Sequence, residues 1–198
     1  MTFAFNTNTR EVLEQVVREP RFKQLTQLPV WAPMEILLGV AAFFLFFLGT
    51  SLYLSGHIHF LFMLLINSVA VYASFTPLHD ATHRSVSSNR RLNDFIGTAC
   101  CLLLLPGITT RVYRYLHLEH HRFAGNPVKD PDEPFVSSSP LLLPFVLAGL
   151  DVHWSIWYFK HWHSRPPGER FEFAAGLAFY IGLHAAFLTS SYALEFFL

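Results

Sequence analysis

From Ile36 to Leu78 the chain carries no Asp, Glu, Lys or Arg, an uncharged run of 43 residues. One helix needs about 20 apolar residues to cross the hydrocarbon core of a bilayer. The run therefore has room for two crossings and little else. Its only polar break is Ser55-Gly56-His57-Ile58-His59, which places a turn there. A transmembrane helical hairpin follows. Its first span is entered at Trp31 and Pro33 and runs to about Leu54, with Trp at the depth of an interfacial aromatic. The second descends from about Phe60 to Phe75, and Pro77 offers a kink just beyond it.

The composition agrees with this reading and narrows it. Of 198 residues, 52% are hydrophobic, 21 are Phe and only 14% are charged, which is not the balance of a soluble domain. Net charge is zero, so no overall field recruits nucleic acid. The two cysteines, Cys100 and Cys101, are adjacent in an apolar stretch and read as small buried hydrophobes, not as a disulfide framework. The polar opening Met1 to Thr9 has no apolar core and is not a secretory signal, so insertion rests on the first span. Asn8 followed by Glu11 resembles a helix cap. Val12, Leu13, Val16 and Val17 then share one side of a helix whose other side carries Arg10, Glu14, Arg18 and Glu19. Residues 1–33 are thus expected as an amphipathic cytoplasmic segment, lying on the membrane surface or packed on the protein's own cytosolic part.

Phe95 to Thr110 is uncharged but only about 16 residues long and contains Pro106-Gly107, the pattern of a re-entrant or interfacial helix. Val136 to Leu150 is also short, contains Ser-Ser-Ser-Pro and is interrupted by Pro144. Val152 to Phe159 is rich in Trp and Tyr, as at headgroup depth. Lys160 to Arg170 reads as a polar turn, and Phe173 to Leu194 as a third span. All 14 Lys and Arg lie before the first span or between Phe75 and Phe173. The positive-inside rule then puts the amino terminus and that middle region on the cytoplasmic side. The expected fold is all-α and integral to the membrane, with residues 34–198 as one membrane domain.

The chemistry resides in two sets of histidines, His79-Asp80-Ala81-Thr82-His83 and His117-Leu118-Glu119-His120-His121. Residues three and four apart share a helix face, so His79/His83 form one pair and His117/His120/His121 a cluster. Imidazole suits zinc, copper, iron and nickel. A lone His-x-x-x-His is more often packing, but two sets on one membrane face point to a metal centre with more than one ion. The course of Phe95 to Thr110 matters here, because a crossing would put the two sets on opposite faces. No cysteine lies near either set, which disfavours iron-sulfur and structural zinc sites.

The order of His79-x-x-x-His83 at the end of a span, Asn93-Asp94-Phe95-Ile96-Gly97 opening a short apolar segment, His117-x-x-His120-His121 and Asp130-Pro131-Asp132 resembles the membrane fatty acid desaturase superfamily. That superfamily includes acyl desaturases and hydroxylases and carotenoid hydroxylases and ketolases. The resemblance is good from about Met34 to Phe135 and weak elsewhere. It implies a non-haem diiron centre that uses O2 to oxidise a lipid C–H bond, most directly in fatty acyl desaturation, with carotenoid or lipid hydroxylation or ketolation as the alternative. It further implies His79, His83, His117, His120 and His121 as iron ligands. Asp80 and Glu119 become candidates to hold ligating imidazoles, against a solvated helix face. Asp130 and Asp132 either steer the site electrostatically or cap a proline turn. Asn93 and Asp94 are expected as caps of the re-entrant helix. Arg111, Arg114 and Arg122 could receive an acidic electron donor or carrier headgroup, but the positive-inside pattern already explains them.

The superfamily's third histidine set is not matched after His121. His153, His161, His163 and mid-span His184 could add a ligand, although each is more simply an interfacial or packing histidine. Three spans starting inside end outside, so the chain is expected to be an amino-terminal fragment that by itself is inactive or binds iron incompletely. Implied partners are a lipid substrate, either an acyl chain or a carotenoid, and an electron donor such as ferredoxin or cytochrome b5 with a reductase. No nucleic acid is implied. The expected location is a bacterial inner membrane, or the endoplasmic reticulum in a eukaryote. Two alternatives of other classes are a non-enzymatic or degenerate membrane metal-binding protein and an intramembrane zinc metalloprotease. In the second, His79 and His83 match the spacing of His-Glu-x-x-His, with Asp80 in place of the general-base Glu.

Overall fold

A computed structural model describes residues 7–18, 20, 32–142, 145–146 and 149–189. Its elements are α1 (Thr7–Arg18), α2 (Pro33–Leu54), α3 (Phe60–Thr82), α4 (Arg90–Leu104), α5 (Thr110–Phe123), α6 (Glu133–Ser137), α7 (Leu150–Lys160), a 3-10 turn (Trp162–Ser164) and α8 (Pro167–Leu188). Among the described residues there is no strand.

The uncharged run forms a helical hairpin, and α2 and α3 are both long and apolar enough to cross a membrane. Pro33 opens α2, where a missing N–H goes unnoticed. The polar break turns the chain with Gly56 at φ 75°, and the His59 imidazole accepts from Leu61 N to start α3. The two helices lie close because Gly49 has no side chain: a Cβ there would stand 2.7 Å from Asn67 Oδ1 and 2.9 Å from Ile66 Cγ2. Asn67 Nδ2 donates to Thr50 Oγ1 across the seam at 3.0 Å. Small residues and a polar cross-link are how helices associate where water gives no hydrophobic drive. The outer faces leave Phe44, Phe62, Leu65 and Tyr72 exposed.

Helix α3 continues beyond the span expected to end near Phe75, through Pro77, to Thr82, and so carries His79 as expected. It persists because the carbonyls at its end have partners: Arg114 donates to Ala81 O at 2.9 Å and to Thr82 O at 2.7 Å. Arg84, at φ 60°, then takes the left-handed turn that ends many helices.

Helix α4 corrects a boundary. It starts at Arg90, not Phe95, and its cap is Asn89, which accepts from Arg91 N at 2.9 Å. The expected caps Asn93 and Asp94 lie inside it. A charged first turn is no bar to a helix, and the edge of the uncharged stretch was not the edge of the element. Asn93 is fully buried. Its Oδ1 accepts from Val86 N and Ser87 N, and its Nδ2 donates to Ser87 O and Asn89 O, which pins the loop after α3. At 15 residues α4 is about 22 Å long, short of a hydrocarbon core of about 30 Å. It packs against α3 and the start of α5 at Gly97, where a Cβ would meet Thr110 and Ala81. The chain then turns at Gly107, φ 96°, and enters α5.

One core joins Leu78, Cys100, Cys101, Leu105, Tyr113, Leu116, Trp154 and Trp157. The cysteines are free and buried within it, as small hydrophobes. A second core joins Val112, Tyr158 and Phe173. Helix α8 begins six residues before the expected third span, with Glu169 accepting from Arg165 and from the Tyr158 hydroxyl. Residues from 190 onward lie outside the described residues, as do Trp31 and Pro144. Helix α1 forms as expected but begins at Thr7, so Asn8 is not its cap. Val12, Val16 and Val17 are exposed on it.

Replacing Asn93 with Ala leaves the Val86 and Ser87 N–H groups buried without an acceptor. The expected loss of stability is about 2–6 kcal/mol, at about 1–3 kcal/mol per orphaned group. Thermal unfolding of the purified variant measures it, with earlier proteolysis in residues 84–89.

Candidate metal centre

His79 lies in the last turn of α3 and His83 is its C-cap. His117 and His121 stand one turn apart on α5. Because α4 does not carry the chain away, α5 returns against α3, and the ligating nitrogens of these four histidines all lie within 4.8 Å of one another. His117 Nε2 is 3.0 Å from His83 Nε2 and 3.0 Å from His121 Nε2. A neutral imidazole nitrogen is either a donor or an acceptor, so His117 Nε2 cannot satisfy both neighbours as an ordinary hydrogen-bond partner. Nitrogens at right angles on an ion about 2.1 Å away would be about 3.0 Å apart. The donor set therefore fits a metal ion.

Electrostatics favours the ligating form. Burial, followed by the imidazoles of His121, His79, His83 and His120, pushes His117 down to about 3. Burial and then His79 and His121 also lower His83, against the opposing pull of Asp80. His117 is thus neutral at physiological pH, with its lone pair available.

The structure divides the expected site residues. His79, His83, His117 and His121 come together. His120 stands beside them: its Nδ1 is 2.9 Å from Asp130 Oδ1 and 3.7 Å from Asp132 Oδ2. The Asp130 side chain is fully buried and also accepts from Gly125 N at 2.7 Å and Asp132 N at 2.8 Å. Burial alone would raise its carboxyl; the donors of His120, Asp132 and Gly125 bring it below the usual value. Burial raises Asp132, which accepts from Trp154 Nε1 at 2.8 Å. Asp80 Oδ1 lies 3.4 Å from His79 Nδ1, and Glu119 pairs with Arg122. His153 has a buried Nε2 without a hydrogen-bond partner. His161 stacks on Trp157 and contacts its carbonyl. His163 is exposed on the 3-10 turn, and His184 Nδ1 lies 2.8 Å from Tyr180 O. None of these last four joins the group of imidazoles.

Three residues matter that sequence reasoning passed over. Arg114, expected as a basic residue of the inner face or a receiver of an acidic donor, also donates to Asp94 Oδ1 at 2.7 Å and so ties α3, α4 and α5 together. Its signal was its spacing, three and seven residues before His117 and His121. The Tyr113 ring stacks on His117 at 5.5 Å and 17°, and Trp154 packs on Tyr113. Adjacency to a histidine box was the only cue for Tyr113, and Trp154 had none.

The sequence model described as "Fatty acid desaturase" matches residues 55–198, which include the whole imidazole cluster. The chain belongs to the fatty acid desaturase family. Two apolar helices able to cross a bilayer agree with a membrane protein of this family. Among similar proteins, "Beta-carotene 4-ketolase 3" of Haematococcus lacustris is 35% identical over 86 residues, 43% of this chain and 26% of the ketolase. "Beta-carotene ketolase" of the same organism is 34% identical over 86 residues, again 43% and 26%. "Omega-6 fatty acid desaturase, chloroplastic" of Brassica napus is 31% identical over 111 residues, 49% of this chain and 24% of the desaturase. The chain spans about a quarter of the length of these relatives. No solved structure matches.

The depressed His117 gives a pH dependence. Unfolded, it binds a proton below about 6.5; folded, only near 3. Its contribution to stability is therefore complete above pH 6.5 and lost as pH falls from there toward 3. Thermal midpoints of metal-free protein should fall across this window, and His117→Leu should flatten the fall.

Proposed function

We propose that this chain provides iron ligands for an O2-dependent oxidation of a lipid C–H bond, with fatty acyl desaturation as the reaction. The observation that carries the reading is the group of four imidazoles, neutral at His117 and within 4.8 Å, in a chain of this family. A pair of non-haem iron ions held there would supply O2 activation and the removal of hydrogen from an unactivated carbon. His79, His83, His117 and His121 bind metal. His120 adds Nε2, because donating Nδ1–H to Asp130 leaves the lone pair on the other nitrogen. Tyr113 covers one face of His117 and keeps water from it, while Asp132, held by Trp154, fixes the turn that carries Asp130.

In this reading α2, α3 and α8 span the membrane, the histidines face the cytoplasm, and α4 lies in the interface. A carrier such as ferredoxin, or cytochrome b5 with its reductase, delivers the electrons. The zinc-protease alternative uses only His79 and His83 and gives no role to His117 and His121, which occupy the same cluster. Carotenoid ketolation is the second reading. It is favoured by the higher identity to the ketolases, 35% and 34%, than to the Brassica desaturase, 31%.

Expression of the chain in iron-replete cells, followed by metal analysis, should recover iron. Single His79, His83, His117 and His121 to Ala variants should each reduce it several-fold. Mass spectrometry of acyl chains and carotenoids from the same cells decides between the two substrates, a mass loss of two hydrogens marking desaturation and a new carbonyl marking ketolation. Recovery of zinc in place of iron would rule out the oxidation reading.

A separate expectation concerns Asp130→Asn. It keeps the shape but loses the charge that holds His120, so iron retention under chelator challenge should fall about 10-fold or more, while helix content by circular dichroism stays unchanged.

A further inference from the structure

Between α7 and α8 lies a cavity of about 270 Å³ that no imidazole of the cluster lines. Its walls are apolar: Val152, Ile156 and Phe159 from α7, and Phe173, Leu177 and Ile181 from α8. The third wall is the turn Leu105-Pro106-Gly107-Ile108. That turn reaches α8 only because glycines meet there, since a Cβ on Gly176 would collide with the Gly107 carbonyl and a Cβ on Gly107 with the Gly176 carbonyl. Leu105 belongs also to the core containing Tyr113 and Trp154, and Tyr113 stacks on His117, so packed side chains separate the cavity from the histidines.

The cavity holds one cluster of polar side chains. Asp151 and Tyr180 both line it and meet there, with the phenol donating to the carboxylate, and Ser155 lies one turn beyond Asp151. His184, one turn beyond Tyr180, is the other titratable group acting on Asp151. A carboxylate has room for more donors than one phenol supplies. A volume just below the usual lower bound of about 300 Å³ for small-molecule sites suits one end of a longer molecule. The ligand must therefore be apolar over most of its buried length and offer a hydrogen at its tip. An ammonium would also donate, but stripping it of water in so apolar a chamber costs far more than for a hydroxyl.

We infer that this cavity seats the hydroxyl-bearing end of an apolar lipid alcohol, its O–H donated to Asp151. The site lies apart from the metal centre, and its occupancy requires neither iron nor turnover, so the inference stands or falls independently of the oxidation reading.

The test uses the full chain in phosphatidylcholine nanodiscs and a long-chain alcohol with a diazirine near its hydroxyl end. Irradiation should label peptides within residues 151–159 and 173–181, located by mass spectrometry. 1-Dodecanol should suppress the labelling at a concentration at least about 10-fold below that needed with dodecane, and below that needed with dodecylamine. Asp151→Leu should abolish the difference between alcohol and alkane, as a hydrogen bond to a charged group accounts for roughly that factor. Labelling spread over other helices, equal competition by alkane and alcohol, or stronger competition by the amine would each overturn the assignment. The labelling map and the competition series use the unaltered chain, so they decide the matter even where Asp151→Leu does not fold.

Discussion

One guanidinium holds the parts of the candidate metal centre in register. Arg114 projects from α5 and takes the last two carbonyls of α3 and the carboxylate of Asp94 on α4. The end of a helix leaves carbonyls without intrahelical partners and carries partial negative charge, so a cation there has both donors and field to offer. The side chain is only 11% exposed, which makes these bonds stronger than their surface counterparts and their loss more damaging. What they fix is the separation of His83, the cap of α3, from His117, one turn along α5. Without the clamp, the two histidine pairs would still lie on helices, but nothing would fix their spacing.

Against that clamp stands a repulsive element. Imidazoles placed this close disfavour protonation of one another, and burial adds to it, which is why His117 is held so far below its ordinary range. A cluster of this kind is poorly satisfied by its own hydrogen bonds, since three facing nitrogens cannot all be paired. Packing supplies the compensation: Tyr113 and Trp154 on one side, and the buried Leu78, Cys100 and Cys101 beneath. The strain is local, and a cation accepting several lone pairs at once would relieve it.

Much of this was legible in the sequence, and what was not failed for definable reasons. The hairpin could be read because charge is so costly in hydrocarbon that its absence over 43 residues has few other causes. The pairing of His79 with His83 and of His117 with His121 could be read because helix periodicity is local. The length of Phe95 to Thr110 correctly indicated that this segment would not part the two pairs. The start of α4 was misplaced because composition marks where charge stops, whereas Asn89 marks where the backbone needs an acceptor. Asn93 looked like a cap because Asn usually is one; its burial and four hydrogen bonds depend on a loop whose path only the fold defines. Arg114 was hidden by an adequate simpler reason for its presence. Cross-element contacts such as Trp154 with Asp132 leave no local pattern to read.

The position of His120 follows from the turn after α5 and not from the helix. On α5 alone, His120 would be a third equal member of its box. Asp130, set ten residues on and buried, offers a carboxylate whose two oxygens are held by Gly125 N and Asp132 N. The carboxylate is thereby fixed in the place where His120 meets it. Asp132 is fixed in turn by Trp154, which packs on Tyr113, which stacks on His117. The contacts therefore close a circuit from one histidine of the box to another, His117 at one end and His120 at the other. Such a circuit resists small displacements of either ring, because moving one requires repacking an aromatic pair and breaking a buried hydrogen bond. His117 and His120 are thereby given different environments three residues apart, one an aromatic stack and the other a buried carboxylate acceptor. A short motif on one helix thus turns two imidazoles toward two different surroundings.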